Sequence, residues 1–414
     1  MKSIFVNIKE LVGILPAEVL RLEGSSMSSV ASIPDAYLTV CDGVITGFGP
    51  MSSRPSGQSF DEEVDASGCL LMPSFCDSHT HIVYAGSREQ EFIDKIQGFS
   101  YEEIAARGGG ILNSADLLHA TSEDELYSQS MARVREMMAK GSGAIEIKSG
   151  YGLSVEDELK MLRVIRRIRE SVPAVIRATF LGAHAVGRAY AGRRDSYVDL
   201  VCSEMLPRVA AEGLADFVDV FCDEGFFTPS DMDRILSAAD SYGLPAKVHT
   251  DEIAVIGGMQ VALKHNALSV DHLEHTSTEG IAALRGTRTM PTMLPGSSFF
   301  LGLPYGRARD FVGAGLGVAL ASDYNPGSSP SGDMRFVMAQ GCIKMRLTPV
   351  QAFNACTING AYAMGVSELC GSITVGKLAN LILTEPLPSL AFIPYCYNTP
   401  FIRKHYVRGR TVRG

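Results

Sequence analysis

The run Cys69-Leu-Leu-Met-Pro-Ser-Phe-Cys-Asp-Ser-His79-Thr-His81 sets an apolar strand directly against two histidines one residue apart. Alternate side chains of an extended chain share a face, so both imidazoles point the same way at the strand's end. Neutral imidazoles suit Zn, Fe, Ni or Cu. A lone His-x-His is weak evidence for a metal. Its weight comes from where the rest of the chain puts its own histidines and carboxylates.

From about residue 69 onward the text repeats apolar strand, polar loop, amphipathic helix. Strands are expected over 69–76, 143–148, 174–181, 216–222, 245–249, 268–272, 288–292 and 316–321. Residues 123–140 and 155–169 carry apolar side chains at three- and four-residue spacing, with Ser154 as an N-cap and Asp157 and Glu158 in the first turns. Eight such strands alternating with helices predict an α/β fold, a (β/α)8 barrel of the TIM type. A doubly wound open sheet is the alternative, but no Gly-x-Gly-x-x-Gly follows a strand. The flanks read as short strands: 3–8, 36–40 and 44–48, then a Pro/Ser/Gly stretch at 50–58, and later 371–377, 380–384 and 405–412. We therefore expect three segments, with the barrel at 68–368 and a small β-sandwich domain built from 1–67 and 369–414.

Composition narrows the class. The chain has 414 residues, 46% hydrophobic and 20% charged, enough for a sizeable core. A net charge of −9 without any long basic run argues against nucleic acid or an anionic membrane as partner. The nine cysteines are scattered with no Cys-x-x-Cys, and Cys69, Cys76 and Cys222 sit in apolar runs, which points to reduced structural thiols. Residues 1–10 alternate like a strand rather than a signal peptide, and the apolar stretch 311–321 is Gly-rich and too short to span a bilayer. A cytoplasmic location is expected.

In such a barrel the active site lies beyond the C-terminal strand ends. Strand one ends in His79 and His81, strand three in His184, and strand five in His249-Thr-Asp-Glu252. Strand six ends in Asp271-His272-Leu-Glu-His275 and strand eight in Ser322-Asp323-Tyr-Asn325. Chance would scatter nine histidines over helices and surface; five or six of them fall here. His79, His81, His249 and Asp323 would make a mononuclear site with room for a water, which the ion would acidify toward neutrality. Asp323 would accept that water's proton, Glu252 would relay one to a leaving nitrogen, and His272 would polarise a carbonyl or stabilise its oxyanion. His275 reads as structural, and His119, His265 and His405 as surface residues. Arg107-Gly-Gly-Gly110 lacks the Lys-Ser/Thr and preceding strand of a phosphate loop, so a flexible loop over the barrel mouth is expected.

Several segments carry a resemblance: Asp77-Ser-His-Thr-His-Ile-Val-Tyr-Ala-Gly-Ser-Arg88-Glu-Gln-Glu-Phe92, Lys148-Ser-Gly-Tyr151-Gly-Leu153, Thr179-Phe-Leu-Gly-Ala-His184-Ala-Val186, Val220-Phe-Cys-Asp-Glu-Gly-Phe-Phe-Thr228, Val248-His-Thr-Asp-Glu252, Asp271-His-Leu-Glu-His275 and Ala321-Ser-Asp-Tyr-Asn-Pro-Gly327-Ser328. In order along the whole chain, they resemble the amidohydrolase superfamily, and within it the imidazolonepropionase family of histidine degradation. The resemblance implies a metal-dependent cyclic amidohydrolase that opens 4-imidazolone-5-propanoate to N-formimino-L-glutamate. It implies one Zn or Fe ion per subunit on His79, His81, His249 and Asp323, and a homodimer. It also implies contacts from Arg88, Tyr151, His184, Glu252, Asn325, Gly327 and Ser328 to a small substrate that carries a carboxylate.

Physical chemistry agrees. Arg88 can clamp a carboxylate tail bidentately, the Asn325–Ser328 loop offers an amide, N–H groups and a hydroxyl, and Tyr151 and His184 offer flat polar faces. Two departures inform. Strand four ends in Asp223-Glu224 without the lysine whose carbamate bridges two ions in dinuclear members, and Lys148 is wrongly placed to replace it, so one ion is expected. Gly187-Arg-Ala-Tyr190 stands where the family shows prolines, which alters the loop but not His184. A purine or pyrimidine deaminase uses similar ligands and is the alternative; Arg88 separates the two, because a neutral base needs no guanidinium. An inactive binding protein on this fold is opposed by the presence of every ligand.

Overall fold

The computed structural model describes residues 1–99, 103 and 109–412. Strands β1 (Lys2–Ile14), β2 (Ala31–Cys41), β3 (Val44–Pro50), β4 (Glu62–Asp65) and β5 (Cys69–Pro73) precede the barrel. The barrel strands are β6 (Phe75–Asp77), β7 (Ser142–Lys148), β8 (Val175–Ala183), β9 (Phe217–Cys222), β10 (Ala246–Thr250), β11 (Ser269–His272), β12 (Met290–Met293) and β13 (Ala319–Leu320). They are hydrogen-bonded in sequence order and parallel throughout. Strands β14 (Leu381–Pro386), β15 (Ile402–Val407) and β16 (Arg410–Thr411) return to the first group, giving one mixed sheet in the order β16-β15-β14-β5-β1-β2-β3 with β4 beside β1.

The expected strand at 69–76 is divided between the two sheets. Its first half, β5, pairs with β1 and β14, and its second half, β6, opens the barrel. Pro73 has no N–H to continue a ladder, and the Ser74 N–H turns to the Asn380 carbonyl at 2.9 Å. Residues 371–377 form no strand; Gly371 and Gly376 hold φ of +91° and +93°, and Ile373 makes only a bridge to Ile14. The helices start where capping chemistry places them. Ser122 accepts from the Glu125 N–H at the head of Glu123–Ala139, and Ser154 accepts from Asp157 N–H at the head of Val155–Ser171.

Barrel strands bury both faces, but differently. Ile145, Ile147, Val218, Val220, Val248 and Val270 pack outward with helix residues such as Leu162 and Ile165. The alternate positions Glu146, Lys148, Asp219, Lys247, His249 and Asp271 turn inward and meet one another. Closure is made at the mouth. Asp323 N–H donates to the His79 carbonyl at 3.0 Å, and His81 N–H donates to the Tyr324 carbonyl at 2.9 Å. Asp77 accepts from the Ser322 N–H and hydroxyl, at 3.0 and 2.5 Å.

Two histidines depart from the surface role expected of them. His265 is held between Asp233 and Asp240 with its ring 6% exposed. His405 is buried at the seam between the mixed sheet and the barrel, where Nε2 meets the Ser74 hydroxyl at 2.8 Å and Nδ1 donates to the Met138 carbonyl at 2.6 Å. Strand alternation alone cannot tell a solvent face from one covered by a second domain. Residues 107 and 108 of the Arg107–Gly110 loop lie outside the described residues; Gly110 donates its N–H to Glu91. Among the described residues no helix is long and apolar enough to cross a membrane.

Burial holds the His405 imidazole down at about 4. The unfolded chain then takes up a proton below the ordinary value of about 6.5 while the folded one does not, so stability is full above that pH and falls as pH drops toward 4. Denaturant midpoints between pH 7 and pH 5 will show a shallower decline for His405→Gln than for the unaltered protein, by up to ~1.4 kcal/mol per pH unit, and a lower midpoint at pH 7.

Candidate metal centre and cavity

The cluster forms because two strand ends and one closing loop meet. His79 and His81 follow β6, His249 lies on β10, and Asp323 follows β13. Nε2 of His81 stands 3.2 Å from Nε2 of His79 and 3.3 Å from Nε2 of His249. Asp323 Oδ1 lies 3.7 and 3.6 Å from the His79 and His81 nitrogens. Donors about 2.0–2.1 Å from one tetrahedral ion stand ~3.3 Å apart, so the three imidazoles are spaced for a single cation, with Asp323 beside two of them. His79, His272 and Asp323 form an overlapping group.

Nδ1 of His79 is 2.6 Å from Asp271, and Nδ1 of His249 is 2.9 Å from Asp219, whose other oxygen accepts the His249 backbone N–H. Asp271 accepts from His79 Nδ1, which leaves that ring's Nε2 lone pair facing the other rings. Lone pairs converging at this distance repel one another unless a cation lies among them. Burial, reinforced by the nearby Lys148 ammonium, keeps His79 well below the usual imidazole range, and burial brings His249 down to about 3. Neutral nitrogen donors with an acidic oxygen suit a divalent metal.

His272 is set apart. Burial opposes its charge, but Glu252 at 3.5 Å and Glu274 at 3.6 Å outweigh that and raise it to about 10, making it an imidazolium. Burial pushes the carboxyls of Asp323 and Glu252 up to about 7. Four residues at strand ends hold left-handed backbone that side chains disfavour: Asp251, His272, Leu273 and Asp323, with φ of +58°, +85°, +69° and +53°. Such strain concentrates at functional sites.

A cavity of about 240 Å³ opens above the cluster. Its walls include every expected contact: Arg88, Tyr151, His184, Glu252, His272, Asn325, Gly327 and Ser328, together with His81, His249 and Asp323. His79 lies beneath, fully buried. His275 is exposed and apart. His184 Nδ1 donates to the Gly150 carbonyl at 2.9 Å, and its ring stacks on His81 at 5.2 Å. Gly187, which begins the unusual loop, packs its Cα where an added Cβ would come within 2.4 Å of the Leu153 carbonyl oxygen.

The Asn325 side chain serves its own loop. Its Oδ1 accepts from the Gly327 and Ser328 N–H groups, and its Nδ2 donates to the Asp323 carbonyl and the Ser328 hydroxyl. The N–H groups expected to meet a ligand are therefore engaged within the turn. Gly327 is required for clearance, since a Cβ there would sit 2.3 Å from Arg88 Nη1.

Sequence reasoning missed five partners. Glu91 grips Arg88 through both oxygens, at 2.7 and 2.5 Å; its position three residues on was the available signal. Lys95, one turn further, lines the cavity and donates to the Gly327 carbonyl at 3.1 Å. Asp223 accepts from the N–H groups of Glu252, Ile253 and Ala254 and so shapes the loop that presents Glu252. Asp219 and Asp271 stand against the His249 and His79 rings; a carboxylate inside an apolar strand was their mark.

The amidohydrolase family model matches residues 70–412. The imidazolonepropionase of Flavobacterium johnsoniae is 51% identical, and that of Christiangramia forsetii 50%, each over 412 residues covering all of both chains. A zinc-bound adenosine deaminase from Xanthomonas campestris superimposes with a TM-score of 0.71 at 16% identity, over 99% of this chain and 92% of that one. The last likeness bears on fold alone.

Elemental analysis of purified protein will find divalent metal, and His249→Ala will lower its content per chain at least tenfold while circular dichroism stays unchanged.

Proposed function

The chain belongs to the amidohydrolase family, and we propose that it hydrolyses 4-imidazolone-5-propanoate to N-formimino-L-glutamate, breaking a cyclic amide C–N bond. The observation that carries this is a guanidinium and an ammonium, Arg88 and Lys95, in the same small cavity as the His/Asp cluster. A neutral purine or pyrimidine uses neither cation. A ring that bears a propionate uses both.

His79, His81, His249 and Asp323 would hold one zinc or iron ion, since imidazole and carboxylate accept either. When bound, it supplies Lewis acidity that makes a water nucleophilic near neutral pH. The remaining work belongs to side chains. Arg88, fixed by Glu91, receives the propionate in a bidentate pair. Tyr151 and His184, packed edge to face with ring centroids 5.4 Å apart, present one polar wall to the ring. Asp323 accepts the proton that the attacking water gives up. The His272 imidazolium, braced between Glu252 and Glu274, donates to the ring carbonyl as its oxygen gains negative charge. Glu252 then takes up the proton that Asp323 received and relays it to the departing nitrogen, which completes ring opening and returns both groups to their starting state.

Incubation with 4-imidazolone-5-propanoate will abolish the ring's ultraviolet absorbance; metal-loaded protein that leaves it unchanged would overturn the assignment. Glu252→Gln will lower kcat by roughly 10²–10⁴-fold with KM little altered. Arg88→Ala and Lys95→Met will mainly raise KM, Arg88→Ala by ~10-fold or more. Equal KM values in steady-state assays would remove the tail from the argument.

A further inference from the structure

We propose that Lys148, at the end of β7, is a positioning residue for the metal centre: its ammonium ties together the two carboxylates that orient His249 and His79. The inference rests on the mononuclear metal reading above. Lys148 touches none of the cluster's ligands and faces no cavity, so neither catalysis nor substrate binding accounts for it.

The geometry is specific. Lys148 is wholly buried, with Nζ 2.8 Å from Asp219 Oδ2, 2.8 Å from Glu146 Oε1 and 3.9 Å from Asp271 Oδ2. Asp219 Oδ2 is also the oxygen facing His249 Nδ1, and Asp271 Oδ2 the oxygen facing His79 Nδ1. One compact ammonium thus pulls on the same oxygens that hold two ligand rings. Lys247, the other lysine buried in the barrel interior, donates to the Ser78 and Ala363 carbonyls and comes only within 4.0 Å of Asp271. Among the described residues, only Lys148 approaches both orienting carboxylates.

Charge supports the same role. Glu146, Asp219 and Asp271 face Lys148 and Lys247 in the closed interior, so three carboxylates crowd around two ammonium groups. Without Lys148 the paired oxygens would repel one another and swing the imidazoles off the common centre. A cationic Nζ committed to carboxylates also explains why this lysine serves as an ammonium rather than as a ligand.

The test is metal affinity, read apart from activity. Lys148→Met removes the ammonium; the double variant Glu146→Gln/Lys148→Met also removes the one carboxylate that touches no ligand ring, keeping the interior charge as it was. The double variant, stripped by chelator, is expected to melt as the unaltered apoprotein does. It is expected to bind Zn2+ about 10–100-fold more weakly in chelator competition, and its Co2+ form to show an altered visible spectrum. A folded variant with unaltered zinc affinity and cobalt spectrum overturns the proposal. So does failure of both variants to fold in saturating Zn2+, because Lys148 would then be structural only. Unaltered protein that binds no Zn2+ or Fe2+ overturns the metal reading itself.

Discussion

The structure depends on two backbone hydrogen bonds at the mouth of the barrel, Asp323 N–H to the His79 carbonyl and His81 N–H to the Tyr324 carbonyl. They join the first strand's extension to the last strand's extension, and in closing the barrel they bring an aspartate from one side against two imidazoles from the other. Asp77, pinning Ser322 through backbone and hydroxyl, repeats the clasp one step lower. A barrel that failed to close here would separate Oδ1 of Asp323 from the two Nε2 atoms, now 3.6–3.7 Å away. Fold closure and site assembly are therefore one event, and the left-handed backbone of Asp323 is stabilised by the same contacts.

Around that clasp the barrel interior is organised by charge. Lysines and carboxylates interleave in its lower part, with Asp219 in register with Lys247 and Glu146 two residues before Lys148, while His249 lies level with Asp271 and the cavity opens above the imidazoles. Such a polar filling departs from the branched aliphatic layers common in these barrels. Pairing offsets part of its cost: Lys148 lies 2.8 Å from both Asp219 and Glu146, and Asp271 is shared by His79 and two ammonium groups. The two kinds of histidine follow from neighbours rather than from burial, which is equal for both. His79 and His249 face one carboxylate each beside a lysine and stay neutral, whereas His272 faces two carboxylates and stays charged. One chain thus presents imidazole for coordination and imidazolium for donation within a few ångströms.

How far the text could be followed differs by residue. His79, His81, His249, His272 and Asp323 stood out because each ends an apolar run, the place where side chains of this architecture converge. Asp219 and Lys148 occupy the same strands but face inward, and a strand buried on both faces gives no sign of which positions look at helices and which at the axis. Glu91 and Lys95 lie one and two turns past Arg88; the Glu91 grip on the guanidinium is local, whereas the Lys95 bond to the Gly327 carbonyl needs the last loop to fold over the first. The strand expected at 69–76 failed at Pro73, where a missing N–H let the chain change sheets. His405 was misjudged because the face it occupies is covered by the barrel's own seam, with Met138 contributed from 267 residues away.

What the sequence alone determined was the alternation of strands and helices, the family, and the residues that could coordinate an ion, since these follow from local periodicity and from chemistry written at strand ends. What only the tertiary structure decided was which nitrogen of each ring faces inward, which carboxylate holds it, and how the Asn325 amide is spent. Those facts depend on contacts between segments far apart in the chain. No local pattern encodes them, because a hydrogen bond's partner is fixed by the packing of whole strands and not by its neighbours in sequence.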